Sequence, residues 1–240
     1  MMKFFKGFAL AFNMLSILPI FKIHDFFKDI NGYAVLSYPL VGFILGSVLW
    51  ALHTLLTPYI PQQHLAIIIF GMWVLLTGAL HLDGFCDSVD GLFVSKDKAL
   101  KVMKDPHNGG MGMIFGGVFL ILKASSLATF DTFYLLPVIL MLSRFNASLA
   151  IYLYPYLSKK GIGSLAKWEF NQKLFFITVT YTLLLGMWIC WGLVVMSLLV
   201  LFVSKYFFIK RYGGFTGDIY GFVIELTELI LLNTVIIGLT

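Results

Sequence analysis

His81-Leu82-Asp83-Gly84-Phe85-Cys86-Asp87-Ser88-Val89-Asp90-Gly91 closes one membrane-length apolar stretch, and Gly213-Gly214-Phe215-Thr216-Gly217-Asp218 opens another that carries Glu225 and Glu228. Half of the 12 Asp and Glu residues of the chain lie in these two places. A carboxylate beside hydrocarbon is costly, so such clusters call for a cation or a substrate. On an ideal helix Asp83, Asp87 and Asp90 fall within about 60° of one another, and Asp218, Glu225 and Glu228 within about 80°. Two such stripes face to face make a hard-oxygen site suited to Mg²⁺.

The surroundings of the two clusters are hydrocarbon. Of 240 residues, 60% are hydrophobic and 12% charged, with a mean hydropathy of +0.92. A soluble domain carries roughly 25% charged residues. The reading is therefore an all-α, polytopic membrane helical bundle, a single integral-membrane domain over 1–240 with no repeat and no low-complexity linker. The net charge of +5 does not point to nucleic acid, because the basic residues sit between apolar runs. Cys86 and Cys190 have neither metal-type spacing nor a disulfide framework.

Runs of spanning length fall near 33–57, 65–82, 111–130, 133–153, 174–190, 193–209 and 219–239, which predicts about seven transmembrane helices. The stretch 174–209 is divided near Gly192, since a single span would leave Lys210 and Arg211 on the opposite side from the other basic residues. Residues 1–20, interrupted by Asn13, Ser16 and Pro19, read as an interfacial or re-entrant helix. With the amino terminus in the cytoplasm, Lys22 and Lys28, the lysines of 83–110 and of 154–173, and Lys210 and Arg211 all face the cytoplasm. The opposite connections carry no Lys or Arg. Both acidic clusters then sit at the cytoplasmic face of an inner membrane.

Three further features carry chemistry. Met103-Lys104-Asp105-Pro106-His107-Asn108-Gly109-Gly110-Met111-Gly112 is a glycine-rich entry to a helix, offering free N–H groups to a phosphate with Lys104 as a point charge. Lys123 and Arg144 lie deep within spans: Arg144 suits a phosphate or a cluster acid, and Lys123 either an ion pair or substrate. Thr216 is placed to cap a helix and Asp218 to complement its dipole, which leaves Glu225 and Glu228 unexplained.

Taken with Ser143-Arg144 and Glu225-Leu226-Thr227-Glu228, these stretches resemble, in order and over essentially the whole chain, the cobalamin synthase (adenosylcobinamide-GDP ribazoletransferase) family. The resemblance implies a Mg²⁺-dependent membrane transferase that joins α-ribazole, or its 5′-phosphate, to adenosylcobinamide-GDP and releases GMP. Two positions depart from the family pattern: Ser16-Ile17-Leu18-Pro19 lacks the Arg usual before the proline, and Pro106 stands where a small hydroxyl residue is usual.

For that reaction the expected metal ligands are Asp83, Asp87, Asp90, Asp218 and Glu225. Asp83, Asp87, Asp90 and Glu228 are the catalytic candidates, Glu228 or an acid free of metal taking the hydroxyl proton. Substrate contacts are expected from Lys104, Asp105, His107, Gly109, Gly112, Lys123, Arg144, Gly214 and Thr216. The expected partners are the two small-molecule substrates and the lipid bilayer; a homo-oligomer or a complex with other cobalamin-assembly enzymes is left open. The rival readings are a CDP-alcohol phosphotransferase-like lipid enzyme, whose further G-x-x-x-D-x-x-x-D run is missing here, and a divalent-cation transporter, which needs acids or broken helices near the midplane.

Overall fold

Apolar periodicity without strand alternation yields helices throughout the described part of the chain. The computed structural model describes residues 2–18, 27–105, 107, 109–158 and 161–238. Pro19, Lys22, Pro106, Asn108, Lys159 and Lys160, invoked above, lie outside them. The helices are α1 (Met2–Leu15), α2 (Ile30–Leu56), α3 (Gln62–Leu76), α4 (Leu80–Leu92), α5 (Lys96–Val102), α6 (Gly110–Ala128), α7 (Leu136–Leu153), α8 (Ile162–Glu169), α9 (Gln172–Tyr212) and α10 (Gly217–Ile236). Among the described residues the sole β-type pairing is an isolated bridge between Tyr156 and Phe215.

Five segments are long and apolar enough to cross a membrane: α2, α6, α7 with its lead-in (Phe133–Leu153), α9 and α10. The α3–α4 pair passes the same test together but is bent by 82°. That gives five or six crossings with α9 counted once; its 41 residues are broken at Cys190, and counting its two halves separately gives the expected seven. α1, at 14 residues, is about 21 Å long, short of a hydrocarbon core of about 30 Å.

The expected span 65–82 stops early for a local reason. Ala79 N–H bonds Val74 O (3.0 Å) and Gly78 N–H bonds Leu75 O (2.9 Å), the paired bonds of a Schellman motif. Gly78 takes φ +61°, which glycine allows, and Ala79 follows at φ +55°. The acidic stripe therefore rides on its own 13-residue helix instead of trailing into a loop. In α9 the break comes at Cys190 (φ −160°, ψ 95°), two residues before Gly192. Val194 folds back there, so that a Cβ on Gly186 would stand 2.9 Å from Val194 Cγ2. Along a straight helix those residues would be about 12 Å apart.

α7 is the central helix, with 94% of its apolar window buried against 28% for α9, whose many exposed Phe, Leu and Trp residues face outward. Two glycines one turn apart bring α2 against it. A Cβ on Gly42 would lie 2.3 Å from Leu140 O, and one on Gly46 2.5 Å from Leu136 O. Asn146 of α7 ties the bundle across, its Nδ2 donating to Ser197 O (2.9 Å) on α9 and Thr227 Oγ1 (3.0 Å) on α10. Glu169, closing α8, accepts from the backbone N–H (2.8 Å) and Nδ2 (2.9 Å) of Asn31 and so caps α2.

Candidate functional site

Two glycines also set the distance between the acidic helices. A Cβ on Gly84 would stand 2.9 Å from Asp218 O, and one on Gly221 2.9 Å from His81 O. With no side chain at either position, α4 lies directly on the start of α10, and Asp83, Asp87 and Asp218 come within electrostatic reach of one another. The ends of both helices are pinned. Thr216 Oγ1 accepts from Ile219 N–H (3.3 Å) and caps α10, as its position in sequence predicts. Arg211 Nη2 donates to Leu92 O (2.7 Å) and Val94 O (2.9 Å), and Tyr212 hydroxyl to Gly91 O (2.9 Å), closing the carboxyl end of α4. Gly214 lets the turn before α10 press on the 155–157 segment: a Cβ there would lie 2.7 Å from Pro155 O.

The six acids divide into three environments. Glu225 and Glu228 are buried with both intramembrane cations. Lys123 Nζ donates to Glu225 Oε2 (2.6 Å) and Glu228 Oε2 (2.5 Å), and lies 4.4 Å from the Trp73 ring centre. Arg144 pairs with Glu228 Oε1 and donates to Ser143 Oγ (2.8 Å). Two positive and two negative groups thus neutralise one another away from water, as hydrocarbon surroundings demand. The side chains expected to meet substrate (Lys123, Arg144), metal (Glu225) or a proton (Glu228) are here engaged with each other.

Asp90 is buried too, but its partners are backbone. Its carboxylate accepts from Gly109 N–H (2.8 Å) and Gly112 N–H (2.7 Å), placing an anion at the amino end of α6. The glycines make room for it; a Cβ at either would lie 2.4 Å from a carboxylate oxygen. Of the amides that the sequence offers to a phosphate, those of Gly109 and Gly112 are therefore taken by Asp90.

Asp83, Asp87 and Asp218 form the third group. Asp83 is exposed and the other two are half-buried. Among the described residues neither Asp83 nor Asp87 has an ion-pair partner or a side-chain hydrogen bond. Asp218 accepts from Thr216 Oγ1 (3.3 Å) and feels the positive charge of Lys104. Nearby, Asp105 and His107 close an exposed turn, in which Asp105 Oδ1 accepts from His107 N–H (3.0 Å) and Nδ1 (2.9 Å). The side-chain bond from His107 leads in holding the Asp105 carboxyl below the usual carboxylate range.

Among the described residues no three His, Cys, Asp or Glu side chains are gathered closely enough to hold a metal ion alone. The open carboxylates nevertheless suit a hard cation, because Mg²⁺ characteristically takes one or two carboxylates and fills its shell with water and substrate phosphate oxygens. A cavity of about 250 Å³ opens beside Asp83 and Asp218, walled largely by apolar side chains and by Tyr38, Tyr156 and Tyr220. The sequence reading missed these tyrosines. No local signal singles them out: Tyr220 is two residues from Asp218 on α10, a spacing that does not put two side chains on one helix face, and nothing local links Tyr38 to Tyr156.

Residues 7–236 match the family model described as cobalamin-5-phosphate synthase. An adenosylcobinamide-GDP ribazoletransferase of Acinetobacter baumannii (strain ACICU) is 35% identical, covering 96% of this chain and 97% of that protein. Proteins of the same name from Desulfitobacterium hafniense (35% identical, 81% and 82% covered) and Thermosynechococcus vestitus (34%, 83% and 84%) are similar as well. No solved structure matches. A match over nearly the whole length, together with the paired acidic helices just described, shows that this chain belongs to the cobalamin-5-phosphate synthase family.

Proposed function

We propose that this membrane protein transfers α-ribazole, or its 5′-phosphate, onto adenosylcobinamide-GDP and releases GMP. We further propose that it works at the cytoplasmic face of the inner membrane with the help of Mg²⁺. One observation carries the placement of the chemistry: Asp83, Asp87 and Asp218 are acids of the two clusters with no ion pair among the described residues, and Asp83 and Asp218 line the cavity with Asp87 within electrostatic reach of both.

The reaction exchanges a phosphoanhydride bond for a phosphate ester bond. A free ribose hydroxyl of the ribazole, one other than the 5′ position that carries the phosphate in the phosphorylated substrate, gives up its proton and attacks the cobinamide-side phosphorus of the diphosphate; the bond from that phosphorus to the bridging oxygen breaks, and GMP departs with the bridging oxygen. Negative charge spreads over the phosphoryl oxygens, so catalysis rests on positioning and charge neutralisation. Asp83, Asp87 and Asp218 would hold Mg²⁺, which supplies Lewis-acid neutralisation of the diphosphate when bound. Lys104, exposed and electrostatically coupled to Asp218, adds a mobile positive charge on the same side. A carboxylate of this trio not engaged by the cation takes the hydroxyl proton. Arg144 and Lys123 act at one remove, holding Glu228 and Glu225 neutralised beneath the site.

The same balance weighs against a cation transporter. Acids lining a cation path must have charge to offer, and the deep pair here is matched by two bases. The lysine-rich 96–104 stretch beside the site favours the cytoplasmic orientation. The test is GMP release by purified protein in lipid vesicles supplied with adenosylcobinamide-GDP, α-ribazole and a Mg²⁺ series. Ribazole-dependent GMP and a completed corrinoid are expected. Cation flux without either product would overturn the assignment.

A further inference from the structure

The cavity beside the open carboxylates has a floor with two polar atoms in want of partners. Nε2 of His81 and the hydroxyl of Tyr220 have no hydrogen-bond partner among the described residues, although the two side chains are only 3% and 7% exposed. Both residues line the cavity. Leaving such groups unpaired in an apolar wall is costly, which points to a ligand that satisfies them. The tautomer of His81 is set from behind. Arg144 Nη2 faces Nδ1 at 3.5 Å and can only donate, so Nδ1 is the acceptor and Nε2 carries the proton. The wall also includes Leu15, Ala147, Ile151, Ala166, Ile224 and Tyr38, with Tyr156 and Tyr220 stacked at 5.9 Å and 13°.

Resting on the function proposed above, we infer that this cavity seats the bicyclic aromatic base of the incoming ribazole. The His81 Nε2–H and the Tyr220 hydroxyl face the free ring nitrogen of that base. The chemistry separates this base from the other ring systems in the reaction. Guanine presents donors and acceptors along most of its edge, and an apolar wall would leave several of them unpaired. A methylated benzimidazole presents one acceptor nitrogen, flat faces and methyl groups, which is what tyrosine rings, aliphatic side chains and two donors match. A corrin macrocycle is too large for 250 Å³. Asp83 is exposed and Asp218 half-buried while the floor is buried, so a base seated inward leaves its ribose, with the attacking hydroxyl, on the carboxylate side.

The experiment uses the full chain in vesicles, as wild type, Tyr220→Phe and Ala147→Leu. Steady-state kinetics are measured against each substrate, and binding of radiolabelled α-ribazole is followed by equilibrium dialysis. Tyr220→Phe removes one oxygen and should raise the KM and Kd for α-ribazole about fivefold, the worth of one hydrogen bond. Ala147→Leu fills the cavity and should raise them further, with the KM for adenosylcobinamide-GDP within about twofold of wild type in both. With wild type, a ribazole lacking the two ring methyl groups should bind about tenfold more weakly, from the apolar area lost. Unchanged α-ribazole constants in Tyr220→Phe, or a shift confined to adenosylcobinamide-GDP, would overturn the inference. Should Ala147→Leu fail to insert, Tyr220→Phe decides alone. If wild type binds α-ribazole but releases no GMP, the transferase reading falls and the dialysis arm still judges the cavity.

Discussion

Glu225 and Glu228 on one side, and Asp83, Asp87 and Asp218 on the other, share one helix interface and carry the same chemical group, yet they are in opposite states. The glutamates are buried and matched by Lys123 and Arg144. The aspartates are open or half-open and, Lys104 aside, surrounded by like charge. An acid near hydrocarbon is thus no sign of a ligand by itself; what signals one is an acid the fold leaves uncompensated. Asp90 makes the same point from a third position, its charge absorbed by two backbone amides.

The contrast can be broken from either end. The largest effect is expected at Arg144. Arg144→Met leaves Glu228 buried with half of its compensation, and losing one member of such a pair costs about 3–5 kcal/mol. Thermal unfolding of the detergent-solubilised protein should drop sharply, and an unchanged transition would show that the deep pair bears no structural load. Asp83→Asn should do the reverse, lowering turnover by about 10²–10³ through lost electrostatic stabilisation while unfolding stays as in wild type. A destabilised Asp83→Asn protein would erase the distinction between the two groups. A smaller effect, about 1 kcal/mol, is expected for Thr216→Ala, which removes the cap that starts α10 beside Asp218.

The smallest is a titration. The Asp105 carboxyl is held low by His107, so the turn gains stability above the ordinary Asp pKa and loses it as pH falls through the depressed value. His107→Ala should move the Asp105 carboxyl back towards the ordinary range in a carbon-detected NMR titration. An unmoved carboxyl would contradict the hydrogen bonds assigned to the turn.

Much of this arrangement could be read before any coordinates. The positions of the long helices followed from apolar runs, because hydrocarbon length is a strict filter on sequence. The meeting of Asp83 and Asp87 with Asp218 followed from two acidic stripes that each needed a counterpart. The pairing of charges did not, since Lys123 reaches acids 102 and 105 positions away, and nothing local tells a cation that meets a phosphate from one that meets a glutamate. The amides of 109–112 were expected to face a phosphate; those of Gly109 and Gly112 donate to Asp90 on another helix, a partner that no local spacing announces. The bend before α4 was missed because Gly78 looks like any glycine in an apolar run until its backbone bonds are known. The break in α9 was placed at a glycine, whereas an extended residue needs none and Cys190 serves.

The most direct test of the division between compensated and uncompensated acids is a Mg²⁺ titration of GMP release, comparing Asp87→Asn with wild type in the same vesicles and recording unfolding temperature alongside. The account predicts that Asp87→Asn needs at least about tenfold more Mg²⁺ for half-maximal rate, or loses turnover altogether, with its unfolding temperature unchanged. A wild-type Mg²⁺ curve for Asp87→Asn would contradict it.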